Sequence, residues 1–340
     1  KETIEQLQFQ KKYNEKELIE AKEIVYRSMQ PTMQRVWPGL TKKLGCEVWV
    51  KHENHTPLGA FKIRGGLVYM EHRILSGNTA GVITASTGNH GQSIPYAAGL
   101  LGVKSAVVVP TNNSTEKNAA IRSLDAELIE VGDDFDSAKI EAKRIAKERN
   151  FHMVPSFHKY LVQGVSTYAA ELFENAGELD AVYVPIGLGS GVCGVMAVRD
   201  LLGFKTKIIG VVSENANAYK RSFNAGKRVE TSSARTFAEG IAVRSPDLIA
   251  LEAILAGVDH IVEVSDQLIA DAIRLLFSNT HNVAEGAGAA SLAGLLSEQS
   301  KMINKRVGIV LCGGNIDSHK FSLILNGGTP SITEELTKHL

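Results

Sequence analysis

Short β-rich runs alternate with longer amphipathic stretches along most of the chain. The runs are Glu47–Lys51 (EVWVK), Gly81–Ala85 (GVITA), Ser105–Val109 (SAVVV), Glu127–Val131 (ELIEV), Ala181–Pro185 (AVYVP), Lys207–Val212 (KIIGVV), His260–Val264 (HIVEV) and Val307–Leu311 (VGIVL). Helical patterns lie between them, for instance over Asp136–Arg149 and Ser265–Asn279. Ser265, with Asp266 in the first turn and Leu268 three residues on, suits a helix start. Strands separated by helices predict an α/β fold with parallel sheets covered on both faces. No internal repeat and no Pro/Ser-rich linker marks a boundary.

Length then divides the picture, because 340 residues exceed one ordinary domain and suggest two. Lys+Arg and Asp+Glu both number 37, so no global field draws in nucleic acid or an anionic membrane. Cys46, Cys193 and Cys312 are far apart and show no zinc-ligand spacing, which suggests reduced, buried thiols. No 18-residue apolar run suggests a transmembrane helix. The first 25 residues are charged and lack the apolar stretch of a secretory signal. A cytoplasmic protein is expected.

Three glycine-containing turns follow candidate strands, the place where open parallel sheets gather ligands. Ser86-Thr87-Gly88-Asn89-His90-Gly91-Gln92 follows GVITA, and its side chains can bond an anionic or phenolic oxygen. Taken alone, it equally reads as a polar turn whose Ser or Thr caps a helix. Gly187-Leu188-Gly189-Ser190-Gly191 follows AVYVP and opens a helix, making a nest of N–H groups for phosphate. No Lys-Ser/Thr follows, so it is not a Walker loop. It also misses the spaced dinucleotide fingerprint, although Glu214 lies near the distance of a ribose partner. Cys312-Gly313-Gly314-Asn315 follows VGIVL and places a weak S–H donor at a strand end. Lys62, bracketed by Phe61 and Ile63, is a candidate for partial burial, which lowers an amine's pKa and favours Schiff-base chemistry.

Together these segments resemble the fold-type II pyridoxal-phosphate enzymes, in particular the threonine/serine dehydratase and serine racemase group. The resemblance rests on FKIRGG at 61–66, STGNHGQ at 86–92, GLGSG at 187–191, Glu285 in AEGAGA, and CGGN at 312–315, and spans roughly residues 25 to 320. It implies two open parallel-sheet domains. The larger would comprise 1–79 plus 158–340 and bind the cofactor; the smaller, 80–157, would carry the substrate loop. It implies that Lys62 forms the internal aldimine with pyridoxal 5'-phosphate and then acts as base at Cα. Gly187, Leu188, Gly189, Ser190 and Gly191 would cradle the phosphate, Asn89 would bond the phenolic oxygen, and Phe61 would pack on the ring. Ser86, Thr87, Gly88, Asn89 and His90 would form the substrate-carboxylate loop, with Thr87 also a candidate catalytic group. Glu285 would belong to the cofactor site. Cys312 would meet the pyridine nitrogen, where a thiol, unlike a carboxylate, favours loss of a β-leaving group over transamination.

The implied activity is β-elimination on a small β-hydroxy amino acid, L-threonine or L-serine, giving a 2-oxo acid and ammonia. Racemisation, 3-hydroxyaspartate or phenylserine dehydration, replacement chemistry and a non-enzymatic relative are the alternatives. Thr87 stands where racemases of the group carry a second serine, and its branched side chain is more restricted. Ala60 replaces a common serine, and Leu188 and Ser190 replace glycines of a four-glycine loop. A relative's divalent-cation site maps onto Val212 and Ala218, with only Glu214 nearby, so no metal is expected. Arg235 and Arg244 are candidates for a second substrate carboxylate. The chain stops soon after CGGN, so no effector domain is expected. The Lys/Glu-rich N-terminal helix is a candidate for packing on a partner in a homodimer.

Overall fold

The computed structural model describes residues 13–133 and 135–332. Ten strands form two sheets: β1 (Gln34–Val36), β2 (Glu47–His52), β3 (Val82–Ala85), β4 (Ser105–Val109), β5 (Glu127–Glu130), β6 (His152–Met153), β7 (Ala181–Pro185), β8 (Lys207–Ser213), β9 (His260–Val264) and β10 (Arg306–Leu311). One sheet has the order β1-β2-β10-β7-β8-β9, the other β5-β4-β3-β6. Every pairing is parallel except β1 with β2, an antiparallel edge.

The eight expected strands are present, and β1 and β6 are additions. Those two are three and two residues long, too short to carry a readable pattern. Of the two, β1 corrects the all-parallel expectation at one edge, whereas β6 pairs parallel. The remaining strands were legible because helices cover both faces, so inward and outward positions alike are apolar. All four residues of β3 and all five of β7 are buried.

Helix Lys159–Ala176 runs through the centre, with most of its length buried, and packs on helices Lys62–Leu75 and Ser190–Leu201. The expected helix start at Ser265 is present, its hydroxyl accepting from Leu268 N at 3.1 Å. The N-terminal helix, Glu15–Val25, turns Leu18, Ala21, Ile24 and Val25 into the chain's own core. That apolar face is therefore taken up within the chain, which leaves the charged face outward; residues 1–12 of this segment lie outside the described residues. The three cysteines are buried and none is in a disulfide among the described residues. Among the described residues no helix is long and apolar enough to cross a membrane, and no group of three His, Cys, Asp or Glu comes together as a metal set.

Candidate active site

The turns after β3, β7 and β10 converge on the start of helix Lys62–Leu75. Phe61 N–H donates to Cys312 O at 2.9 Å, and Ala60 bridges Gly313. These bonds fix the lysine beside the end of β10. The Lys62 amine lies 5.1 Å from the Phe61 ring centroid and makes one long hydrogen bond, 3.4 Å, to Ser190 Oγ. Burial pushes its pKa down to about 8, with Cys312 pulling weakly the other way. Cys312 itself is held neutral, its thiol pushed up by burial and by the nearby Glu285.

Helix Ser190–Leu201 begins without a side-chain cap, leaving its first-turn N–H groups for an anion. Gly189 sits at φ +107°, a conformation that glycine adopts without strain. A Cβ on Gly187 would come within 2.3 Å of Gly240 O. Two tyrosine hydroxyls hold the turn's carbonyls: Tyr168 donates to Gly191 O at 3.2 Å and Tyr219 to Leu188 O at 2.9 Å. Tyr168 also meets Phe61 edge-on at 6.0 Å. Ser190, a departure from the glycine pattern, supplies the hydroxyl beside Lys62. A phosphate fits this turn.

Helix His90–Leu100 has no side-chain cap from its own N-cap residue, Asn89, but Ser86 upstream takes one of its first-turn N–H groups. Ser86 Oγ accepts from Gly88 N at 3.3 Å and Gly91 N at 3.0 Å, curling the loop upon itself. Gly88 opens onto space, since a Cβ there would meet nothing within 4 Å; its role is room rather than close approach. Thr87 is partly exposed. His90 is buried and its Nε2 has no partner among the described residues. Burial and the charge of Lys62 push its pKa down to about 3, so the ring is neutral. Asn89 Nδ2 donates to Glu285 Oε1 at 2.9 Å, and Asn89 Oδ1 accepts from Asn315 Nδ2 at 2.8 Å. Burial pushes Glu285 up to about 7, against the pull of Lys117 and of N–H donors from Asn315 and Asn89.

The sequence-predicted site residues thus lie in one connected region. Tyr168, Tyr219 and the structural part of Asn315 were missed. The two tyrosines sit on helices distant in sequence and carry no local signal; Asn315 lay inside a quoted motif but had no partner until the fold supplied one. Arg235 and Arg244 do not join the cluster. Arg244 bonds Asp136 and Thr231 O, and Arg235 lines a surface hollow with Glu214, Asn217 and Arg221.

The family described as pyridoxal-phosphate dependent enzyme matches residues 28–313. The L-threonine ammonia-lyase of Thermotoga maritima is 34% identical over 290 residues, 85% of this chain and 72% of that protein. The L-threonine dehydratase biosynthetic IlvA of Haemophilus influenzae is 32% identical over 298 residues, 87% of this chain; the chain spans only 58% of that relative's length. The solved structure of the processed form of threonine deaminase isoform 2 from Solanum lycopersicum has a TM-score of 0.85 and 27% identity, covering 92% of this chain and 94% of that one. The lysine, the uncapped start of helix Ser190–Leu201 and the glycine turn suit such a cofactor, and the chain belongs to the pyridoxal-phosphate dependent enzyme family, in its fold-type II form.

Proposed function

We propose that the chain removes water and ammonia from a small β-hydroxy amino acid, L-threonine or L-serine, giving 2-oxobutanoate or pyruvate. One observation carries the reading: a basic amine with a lowered pKa and one weak bond, Lys62, lies between two helix starts, that of Ser190–Leu201 without a side-chain cap and that of His90–Leu100 with one N–H taken by Ser86. One start suits a phosphate and the other a substrate carboxylate. Bound pyridoxal phosphate supplies the electron sink for the pair left when the Cα–H bond breaks.

Lys62 Nζ would hold the cofactor covalently and, as a free amine, would take the Cα proton. A pKa of about 8 leaves part of the amine population neutral near neutral pH, as a base requires. Ser190 Oγ restrains that amine. The N–H groups of the Gly187–Gly191 turn bind the phosphate, and Phe61 covers one edge of the ring. Asn89 donates to the ring oxygen, and Glu285 holds Asn89. Ser86, Thr87 and the backbone from Gly88 to His90 take the substrate carboxylate. Cys312, neutral and buried, places no negative charge at the ring nitrogen. In net terms the Cα proton and the β-hydroxyl would leave as water, and the enamine product would take up water in solution to give the 2-oxo acid and ammonia.

In this reading the division into 1–79 plus 158–340 and 80–157 separates cofactor binding from the substrate loop. The separate sheet formed by β3–β6 supports it. A cytoplasmic homodimer acting on a free amino acid, without nucleic acid or membrane, is part of the proposal; equal numbers of acidic and basic residues support the absence of a polyanionic partner. Racemisation is the second reading, because the Thr87 hydroxyl makes no hydrogen bond to the described residues and could serve the opposite face of Cα.

A panel of L-threonine, L-serine, 3-hydroxyaspartate and phenylserine, assayed for ammonia, 2-oxo acid and D-isomer, tests the assignment. Ammonia with stoichiometric 2-oxo acid from threonine or serine is expected. D-isomer without ammonia, or turnover of neither, would overturn it.

A further inference from the structure

An asparagine side chain has two nearly isosteric ends, one donating and one accepting. A residue that must donate to a ligand therefore needs something to fix which end faces it. Asn89 is fixed by Glu285 on one side and, on the other, by Asn315, whose own orientation is set by a group that can only accept. Leu58 O is a backbone carbonyl, and Asn315 Nδ2 donates to it at 2.8 Å. That bond sets the amide of Asn315, whose Nδ2 also donates to Asn89 Oδ1 at 2.8 Å. On the other side, Asn89 Nδ2 donates to Glu285 Oε1 at 2.9 Å, while Glu285 Oε2 accepts from Asn315 N–H at 2.9 Å. Asn315 thus touches both ends of the arrangement, once through its backbone and once through its side chain.

We propose that Asn315 is a positioning residue, which locks the Asn89 carboxamide so that an N–H, and not the carbonyl, faces the cofactor's ring oxygen. Turning Asn89 over would set its oxygen against Glu285 and its NH2 against that of Asn315, replacing two bonds by two repulsions. Asn89 has a second Nδ2–H with no partner among the described residues; that is the donor left for the ligand. The Asn315 side chain is also the part of the clamp that does not titrate. Glu285, raised by burial to about 7, can gain a proton and with it the ability to donate, so the carboxyl alone would not hold the orientation across pH. The inference rests on the assignment of Asn89 to the ring oxygen made above.

The test is a double-mutant cycle read by the dissociation constant of pyridoxal phosphate, titrated by the absorbance of the bound cofactor. Asn89→Ala and Asn315→Ala are each expected to weaken binding by about 5- to 10-fold, the worth of a lost hydrogen bond. In the Asn89→Ala background, Asn315→Ala should weaken it by no more than about twofold, because its partner is gone. Asn315→Asp, which cannot donate to Leu58 O or Asn89 Oδ1, should be worse than Asn315→Ala. Equal effects of Asn315→Ala in both backgrounds would mean mere loop support and overturn the proposal, as would no effect in the parent. Melting curves of the cofactor-free proteins check folding; if Asn315→Ala does not fold, Asn315→Ser takes its place in the cycle. A parent protein that binds no pyridoxal phosphate would instead overturn the proposed function.

Discussion

Lys62 and Arg64 stand two residues apart in one helix turn, yet their surroundings are opposite. Arg64 is fully buried and every part of its guanidinium is used. Its Nε and Nη2 bond the two oxygens of Glu53 at 2.7 and 2.9 Å, its Nη1 and Nη2 bond those of Glu171 at 2.7 and 2.9 Å, and Thr167 and Thr32 accept as well. Lys51, also buried, donates to Glu171, Gln34 and the Thr32 carbonyl. Two cations and two carboxylates balance. Burial pulls the guanidinium down, but Glu53 and Glu171 outweigh it and raise its pKa. Among the described residues Lys62 has no carboxylate partner, and burial wins. The difference separates a charge that holds the fold from one kept available for chemistry. It also shows that burial alone does not set a pKa: at Arg64 the two carboxylates outweigh it, whereas at Lys62 it prevails.

The largest effects break the two halves of that comparison. Lys62→Ala should lower turnover by at least ~10^4-fold, since it removes both covalent attachment and the Cα base, with the far-ultraviolet circular dichroism unchanged. Arg64→Met should leave turnover uninterpretable but lower unfolding stability by about 3–5 kcal/mol, because two carboxylates remain buried without their main counterion. Denaturant melts of the cofactor-free proteins measure it.

A subtler break uses pH. The folded pKa of Lys62, about 8, lies below the usual 10.5, so between these values the folded protein binds fewer protons than the unfolded chain. The stability cost of this lysine is therefore complete below pH 8 and disappears as pH rises to 10.5. Cofactor-free Lys62→Ala should exceed the parent in stability at pH 7, with the gap closing toward pH 10.5. Glu285 runs the other way. Its folded pKa of about 7 lies above the usual 4.5, so its contribution falls as pH rises from 4.5 to 7. Glu285→Gln should flatten the stability profile in that window. The smallest effect is expected of Tyr168→Phe, which frees the Gly191 carbonyl and should weaken pyridoxal phosphate by roughly fivefold, about 1 kcal/mol.

The same contrast explains what the sequence made legible. FKIRGG identified Lys62 through its motif, and the flanking Phe61 and Ile63 hinted at burial. Nothing local distinguished Lys62 from Arg64 in partner count, since Glu53 comes from the end of β2 and Glu171 from a helix more than a hundred positions on. Long buried strands such as β3 and β7 were readable because both faces are apolar, while β1 and β6 are defined only by the neighbours they pair with. The glycine turn after β7 was visible, but the tyrosines that hold its carbonyls were not. His90 was expected to serve through its backbone; its neutral imidazole, whose Nε2 has no partner among the described residues, emerged only from the packing around it.

The central claim is that Lys62 carries the cofactor. Borohydride reduction of the loaded protein, followed by proteolysis and peptide mapping, tests it directly. The account predicts one pyridoxyl label on the peptide containing Lys62 and none in Lys62→Ala. A label on another lysine, or no label at all, would contradict it.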